Sequence, residues 1–220
     1  MRSWDRIPHP INNELVKPYY DILKRKWFYR FVKRLFDLTS SFIMFFLLLF
    51  PSIIIGILIV CTSKGGMFFC QLRIGRYGKP FKIIKFRTMR KNSEGDKHIT
   101  SKNDDRITNI GKFLRKTHLD ELPQLLNVFI GQMSFVGTRP EVIQFVSKYS
   151  DEWYATLLMR PGITSTASYS FYDESSFIDD SNYLSSYLKD ILPAKMKINL
   201  SDLGHPFFKN DLIILWRTVF

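Results

Sequence analysis

The chain has 220 residues, with 32 Lys and Arg against 20 Asp and Glu, which gives a formal net charge of +12. An apolar share of 45% and a charged share of 24% exclude a disordered or collagen-like protein, and the length suits one domain with an appendage. Cys61 and Cys70 form neither a disulfide framework nor a zinc motif. We therefore expect contact with nucleic acid, a membrane surface or phosphorylated ligands, and any metal would be a hard ion held by carboxylates.

The first predicted element is an amphipathic helix that precedes a long apolar run. Its apolar and basic side chains recur at roughly helical spacing: Trp27, Arg30, Phe31, Arg34, Leu35 and Leu38. Such a helix lies either at a membrane interface or on the surface of an ordinary soluble domain. The neighbouring apolar run favours the membrane.

The apolar run from Phe42 to Cys61 contains no charged residue and is long enough to enter lipid. Basic residues flank it on both sides, so the positive-inside rule assigns it no orientation. Pro51, followed by Ser52, lies in its middle, where proline removes a backbone donor and kinks or breaks a helix. Two structures fit this pattern: a re-entrant hairpin with both ends on one side, and a kinked helix that spans the bilayer.

The next element is a predicted β-hairpin. Two strand-like runs, over residues 67–72 and 81–86, flank a turn rich in glycine and proline. Lys85 and Arg87 project from one face of the second strand. Alone, that pattern is more typical of a solvated strand face than of a site. The polar stretch 91–105 that follows is predicted to be a loop.

The residues best suited to chemistry lie between positions 104 and 140. Apolar residues at helical spacing predict a helix that begins close to Asp120, with Glu121 beside it and Pro123 in the first turn. Acidic residues at a helix start are most often caps. Basic residues change this interpretation, because a helix N-terminus with several guanidinium groups is a phosphate-binding arrangement. Those nearby in sequence or brought in by folding are Arg106, Arg115, Arg139, Lys85, Arg87 and Arg160.

An Asp beside a bound diphosphate can act as a nucleophile and form an aspartyl-phosphate. Glu121, one residue further on, points about 100° away around a helix and is better suited to bind a divalent metal ion. The sequence contains no phosphate-binding P-loop, no G-x-S-x-G nucleophile elbow and no H-E-x-x-H zinc motif. Asp120 and Glu121 are therefore the candidate catalytic and metal-binding pair.

Short motifs follow one another from about residue 30 to the end of the chain. They read KRLFD at 33–37, QLRIGRYGKPF at 71–81, KFRTM at 85–89, DRIT at 105–108, LDELPQL at 119–125, MSFVG at 133–137, RPGIT at 160–164 and DLIILWRT at 211–218. Each motif alone is weak, but the ordered set is specific. It resembles the bacterial sugar transferases known as monotopic phosphoglycosyl transferases.

The resemblance implies a predominantly helical α+β fold with a re-entrant membrane helix, interfacial amphipathic helices and a short β-hairpin. It divides the chain into an N-terminal segment with an interfacial helix (1–41), a membrane-embedded helix (42–62) and a catalytic domain (63–220). The implied reaction transfers a sugar-1-phosphate from a UDP-sugar to polyprenyl (undecaprenyl) phosphate and releases UMP. It would begin polysaccharide or glycoconjugate synthesis at the cytoplasmic face of the bacterial inner membrane.

The same resemblance implies roles for individual residues. Asp120 matches the family's nucleophile, which forms a covalent phosphosugar, and Glu121 matches its partner, which is associated with Mg²⁺. The predicted phosphate- and substrate-binding residues are Lys85, Arg115, Arg139 and the Asp105–Arg106 pair, together with Arg87 from its place on the strand.

The alternative function is a non-catalytic, membrane-anchored basic adapter that binds anionic lipid or nucleic acid. The basic residues form no continuous block and no stacking platform, so we expect no nucleic-acid partner. The intact Asp120–Glu121 pair favours the enzyme. The polar, Ser-rich and then amphipathic segment 173–204 either helps to choose the sugar or a partner, or serves only to fill the core.

Overall fold

The computed structural model describes residues 1–63, 65–90, 105–171 and 186–219, which form a mainly helical structure with a small β part. The helices are α1 (Lys17–Arg25), α2 (Trp27–Leu47), α3 (Leu49–Thr62), α4 (Asn109–Lys116), α5 (Gln124–Phe129), α6 (Ile143–Val146), α7 (Thr166–Ser170), α8 (Leu192–Gly204) and α9 (Phe208–Val219). Short 3₁₀ turns cover Trp4–Arg6, Arg76–Gly78, Leu119–Glu121 and Asp151–Leu158, and a π-helical turn covers Tyr187–Ile191. The loop predicted over 91–105 lies outside the described residues except for Asp105, as does the part of the 173–204 segment before residue 186.

The predicted hairpin is confirmed, with slightly longer strands. β1 (Phe68–Ile74) and β2 (Pro80–Phe86) pair antiparallel from end to end. A second, parallel pair joins β3 (Ser134–Val136) to β4 (Gly162–Thr164). The glycines that flank this second pair allow the close approach, because a Cβ on Gly162 would collide with the backbone of Gly137.

The N-terminal residues belong to the main hydrophobic core. Ile11, Val16 and Leu23 are buried there against Leu192 and Met196 of α8. The first 25 residues therefore fold onto the C-terminal part of the chain instead of forming a separate unit. Leu192 and Met196 belong to the amphipathic segment for which the sequence left two roles open, and these two side chains contribute to the core.

Helices α2 and α3 form a bent pair. Among the described residues no single helix is long and apolar enough to cross a membrane, but the pair together has the necessary length and composition and is bent by 61°. The sequence predicted a break at Pro51 and Ser52, whereas the break lies at Leu48, and Pro51 sits in the first turn of α3. Proline lacks an N–H and its ring clashes with the carbonyl four residues earlier, so the break falls one turn upstream.

A broad apolar surface covers the bent pair. The predicted amphipathic helix is not separate, since α2 continues from the basic segment directly into the apolar run. Large side chains on α2 and α3 that are at least half exposed are Trp27, Phe28, Phe31, Leu35, Phe42, Ile43, Phe46, Leu47, Phe50, Ile53, Ile57 and Val60. Exposed apolar area on this scale is typical of a surface that meets lipid or another protein.

Polar contacts of the KRLFD motif join α2 to the rest of the fold. Lys33 forms a buried ion pair with Asp211 of α9, with 2.8 Å between Nζ and Oδ2. Arg34 donates to the carbonyl oxygens of Val128 and Phe129 at the end of α5. Asp37 Oδ1 accepts hydrogen bonds from the Ser134 hydroxyl and the Phe135 amide, both at 3.1 Å. The motif therefore fixes the helix that carries the apolar surface to three other elements.

A separate apolar cluster joins α3 to β2 and α4. Ile59 of α3, Phe86 of β2 and Leu114 of α4 are buried against one another. Leu119 and Leu122, on either side of Asp120 and Glu121, pack on this cluster. The acidic pair thus rests on side chains that also hold α3.

Candidate active site

A tight turn presents the two acidic residues. After α4 the chain passes through His118 in the left-handed conformation, with φ of 55°. A single 3₁₀ turn then carries Leu119–Glu121, and the Glu121 amide donates to the His118 carbonyl at 3.1 Å. The predicted helix begins at Gln124, later than expected, because Pro123 serves as its N-cap residue. Asp120 and Glu121 are therefore in their own turn and not in the first turn of α5.

Glu121 is held by two basic residues from different parts of the fold. Its Oε1 atom lies 2.7 Å from Lys85 Nζ of β2 and 2.7 Å from Arg139 Nη2 in the loop after β3. Burial alone would raise the pKa of the Glu121 carboxyl, but the charges of Arg139 and Lys85 outweigh it, and the pKa lies far below its ordinary value. Glu121 is therefore an anion that brings two cations together.

Asp120, beside Glu121 and its two basic partners, is buried, with 8% of its surface exposed. Burial raises the pKa of its carboxyl and the Glu121 charge adds to that effect, while the positive charges of Lys85, Arg115 and His118 act against it. A carboxylate with a raised pKa is more basic than an ordinary aspartate and is a better nucleophile once it is ionised. The neighbouring carboxyl groups of Asp120 and Glu121 thus have pKa values shifted in opposite directions.

Arg115 reaches the site from the last turn of α4. Its Nε donates to the Thr88 hydroxyl at 2.9 Å, and its positive charge acts on Asp120. α4 lies close to the strand that precedes it because Gly111 faces the Thr88 carbonyl, where a Cβ would clash. Lys85 and Arg139 therefore contact Glu121, and the charge of Arg115 acts on Asp120, while phosphate binding by these three residues stays a prediction.

The other predicted substrate-binding residues are Arg87, Asp105 and Arg106. Arg87 donates through Nε and Nη2 to the carbonyl oxygens of Gly66 and Phe68, both at 3.1 Å. The Arg106 carbonyl accepts a hydrogen bond from the Arg90 amide at 2.9 Å. Asp105 is exposed. Arg87 therefore braces the start of the hairpin, and the substrate-binding role of these three residues stays a prediction.

The donor set of the site bears on the expected Mg²⁺. Within the described ranges, no group of three or more His, Cys, Asp or Glu side chains is arranged to share a metal ion. Asp120 and Glu121 supply two carboxylates, and Mg²⁺ is commonly held by one or two carboxylates together with substrate phosphates. This donor set fits Mg²⁺ in the presence of a phosphorylated substrate.

Comparison with known families matches the model of the bacterial sugar transferase family to residues 28–220, which include the whole site. The chain belongs to the bacterial sugar transferase family. The matched range begins at the start of α2 and runs through the last described helix. Family membership therefore covers both the bent helix pair and the acidic site.

Named relatives of this bacterial sugar transferase include the UDP-glucose:undecaprenyl-phosphate glucose-1-phosphate transferase of Klebsiella pneumoniae, 43% identical over 61% of this chain and 30% of the relative. The undecaprenyl-phosphate galactose phosphotransferase of Salmonella typhimurium is 40% identical over 61% of this chain and 32% of its own length. The uncharacterized sugar transferase EpsL of Bacillus subtilis is 40% identical over 62% of this chain and 67% of its own length. The chain thus aligns with about a third of the two longer relatives.

Two polar residues that position the site of this bacterial sugar transferase were missed by the sequence analysis. The Asn127 side chain of α5 accepts a hydrogen bond from the Ile84 amide at 3.1 Å and donates one to the Lys82 carbonyl at 2.8 Å. It thereby supplies hydrogen-bond partners for two backbone groups of β2. Thr88 orients Arg115. Both residues lie inside or beside the recognised motifs, and only their spatial partners reveal what they do.

Proposed function

We propose that this protein transfers a sugar-1-phosphate from a UDP-sugar to undecaprenyl phosphate and releases UMP. The observation that carries the proposal is the contact of Lys85 and Arg139 with Glu121 directly beside the buried Asp120. Relatives named for this reaction with glucose and galactose donors support it. The product would begin the assembly of a polysaccharide or another glycoconjugate.

The proposed chemistry has two displacements at one phosphorus atom. An Asp120 carboxylate oxygen attacks the phosphorus that bears the sugar, the bond to the UMP oxygen breaks, and UMP leaves with the electron pair. A phosphate oxygen of the lipid then attacks the same phosphorus, and the bond to Asp120 breaks to restore the carboxylate. The raised pKa of Asp120 supports the nucleophilic role, because it marks a more basic carboxylate.

The cations have separate tasks in this scheme. Lys85 and Arg139, both held by Glu121, would counter the negative charge that accumulates on the phosphates in the transition state. Arg115 would bind a phosphate oxygen while Thr88 fixes its Nε. Mg²⁺, held by Asp120 and Glu121, would neutralise the diphosphate and assist the departure of UMP.

The proposal is tested by UMP release from the full chain reconstituted in vesicles with undecaprenyl phosphate and Mg²⁺. Separate reactions would contain UDP-glucose, UDP-galactose or a UDP-N-acetylhexosamine. We expect release with one donor and its loss when Mg²⁺ is chelated. Binding of UDP-sugars without release of UMP from any donor would contradict the proposed reaction.

For the bent helix pair we propose a re-entrant placement, with the catalytic part at the cytoplasmic face of the bacterial inner membrane. The 61° bend and the exposed apolar surface of α2 and α3 support it. The Lys33–Asp211 ion pair and the Arg34 contacts hold the start of α2 on the folded part, while the cluster around Ile59 holds α3 there. Both ends of the pair would therefore lie on the same side of the bilayer.

Cysteine labelling tests this placement. With Cys61 and Cys70 replaced by Ser, single cysteines at Lys26 and Ser63 are treated with a membrane-impermeant maleimide in sealed vesicles of uniform orientation. We expect both positions to react from the side that carries the catalytic part. Protection of one position until the vesicles are lysed would indicate a helix pair that spans the bilayer.

The raised pKa of Asp120 also predicts a pH dependence. Asp120 attacks as the carboxylate, so the first half-reaction should accelerate as pH rises through a pKa above the ordinary aspartate value. Lys85→Gln removes a positive charge that lowers the pKa of Asp120. The acidic limb of the pH–rate profile should therefore move to higher pH in this variant. The measurement is single-turnover UMP release without lipid phosphate, at a series of pH values. Lys82→Gln, an exposed lysine of the same strand, is the control, and an identical limb in both variants would count against Asp120 as the titrating group.

A further inference from the structure

A cavity of about 250 Å³ lies between α2 and the segments that carry Arg76 and Arg160. Four arginines line it, Arg30 and Arg34 from α2 together with Arg76 and Arg160. It shares no lining residue with the group formed by Asp120, Glu121, Lys85, Arg115 and Arg139. The cavity is therefore a separate feature that the transfer reaction does not explain.

The positive charge of this cavity is only partly balanced by the described protein groups. Its lysine, Lys33, is neutralised by Asp211 at 2.8 Å. Its only acid, Asp37, lies close enough to Arg34 for their charges to interact and offsets one of the four guanidinium charges. Within the described ranges, none of the four arginines forms an ion pair with a carboxylate. Among the described groups, the cavity therefore has an excess of positive charge that a bound anion would balance.

Backbone carbonyls hold the guanidinium groups in place. Arg76 Nε donates to the Leu158 carbonyl at 2.9 Å, and Arg160 Nε donates to the Gly131 carbonyl at 2.7 Å. Neutral carbonyls orient an arginine but leave its charge uncompensated. Burial lowers the pKa of Arg76, and the nearby charges of Arg160 and Arg30 lower it further. The arginines are therefore preorganised despite their mutual repulsion.

Arg30 gives the second indication of a ligand. Its Nε atom is buried and has no hydrogen-bond partner. A buried donor without an acceptor is unfavourable, and a guanidinium group matches the oxygens of a phosphate. A phosphate oxygen in the cavity would supply the missing acceptor.

The rim of the cavity indicates where the phosphate comes from. Trp27 and Phe31 line it and are 64% and 58% exposed. Tryptophan and basic residues on one amphipathic helix are typical of the level of lipid headgroups. We propose that this cavity binds the phosphate of an anionic phospholipid headgroup, with the acyl chains passing along Trp27 and Phe31. The proposal rests on the membrane placement above and not on the transfer reaction.

The test uses quenching of Trp27 fluorescence by brominated lipids. The full chain is reconstituted in phosphatidylcholine vesicles that contain an equal mole fraction of either brominated phosphatidylglycerol or brominated phosphatidylcholine. A Trp27→Phe variant, measured in the same vesicles, isolates the Trp27 signal from that of the other tryptophans. We expect phosphatidylglycerol to be enriched beside Trp27 by about fivefold or more over phosphatidylcholine.

Arg30→Gln should remove most of that enrichment and is the cleanest variant, because the Arg30 side chain makes no described hydrogen bond that the substitution would break. Arg25→Gln, an exposed arginine five residues earlier, changes the net charge equally and should preserve the enrichment. Equal quenching by the two brominated lipids in the unaltered chain would overturn the proposal, as would an equal loss in both variants.

Two further outcomes separate the possible causes of a negative result. Loss of the phosphatidylglycerol preference in excess inorganic phosphate would identify the cavity as a site for free phosphate and overturn the lipid assignment. Failure of the chain to bind vesicles at all would refute the membrane placement together with the lipid site. Neither result depends on UMP release, so the proposed reaction is judged independently.

Discussion

Asp120→Asn is expected to abolish turnover, with a fall in the rate of UMP release of at least about 10⁴-fold. An amide is a poor nucleophile and cannot form the covalent phosphosugar. The substitution keeps the shape of the side chain in the Leu119–Glu121 turn, so the loss would be chemical. Intact-mass measurement after exposure to the UDP-sugar without lipid phosphate should show a phosphosugar adduct on the unaltered chain and none on the variant.

Asp151→Asn provides the matched control, since Asp151 is an exposed aspartate at the start of another 3₁₀ turn. It should retain full activity and form the adduct. A substantial rate in Asp120→Asn, with the lipid product still formed, would mean that the lipid phosphate attacks the UDP-sugar directly. The covalent route would then be wrong for this protein.

Glu121→Gln should reduce turnover by about 10²- to 10³-fold and should also destabilise the fold. The substitution leaves Lys85 and Arg139 close together without the carboxylate that both contact at 2.7 Å. Removal of one partner from a fully buried ion pair typically costs about 3–5 kcal/mol, and we expect a smaller loss here because the Arg139 side chain is 42% exposed. The free energy of unfolding, measured by urea titration, and single-turnover UMP release on the folded variant together separate the two effects.

The pH dependence of the free energy of unfolding provides a second test of the role of Glu121. Because the pKa of Glu121 is depressed in the fold, its contribution is complete above the unfolded-state pKa and is lost as pH falls through the folded-state pKa. Glu121→Gln should therefore flatten the acid limb of the stability curve. Glu14→Gln, at an exposed glutamate, should leave that limb and the activity as they are. If Glu121→Gln kept both the acid limb and the rate of the unaltered chain, Glu121 would not organise the site.

Local patterns were sufficient to predict the hairpin and the presence of basic side chains beside Asp120 and Glu121. Alternation of apolar and polar residues predicted β1 and β2 to within two residues at each end. An adjacent Asp and Glu with several basic residues nearby indicated a phosphate site. In the structure Lys85 and Arg139 contact Glu121 and the charge of Arg115 acts on Asp120, while phosphate binding stays a prediction. Such features follow from short-range periodicity and from charge type, which the sequence displays directly.

Other features depend on three-dimensional contacts that no local pattern reports. Pro51 was correctly identified as a helix breaker, but steric conflict acts on the preceding turn, so the chain bends at Leu48. Arg87 lies two residues from Lys85, and it donates to the backbone carbonyls of Gly66 and Phe68 at the start of the hairpin, partners that charge type alone does not predict. Burial of Ile11, Val16 and Leu23 in the same core as α8 depends on contacts between opposite ends of the chain.

The cluster of Ile59, Phe86 and Leu114 has a mechanical consequence under the proposed membrane placement. Since α3 packs on β2 and α4 through these side chains, and Leu119 and Leu122 beside Asp120 pack on the same cluster, the proposed nucleophile is coupled to the embedded helix. The depth of α3 in the hydrocarbon then sets the height of Asp120 above it, independently of the length of the acceptor's tail. A bilayer of different thickness would raise or lower both together, and the carboxylate would stay level with the phosphates of the leaflet that anchors it.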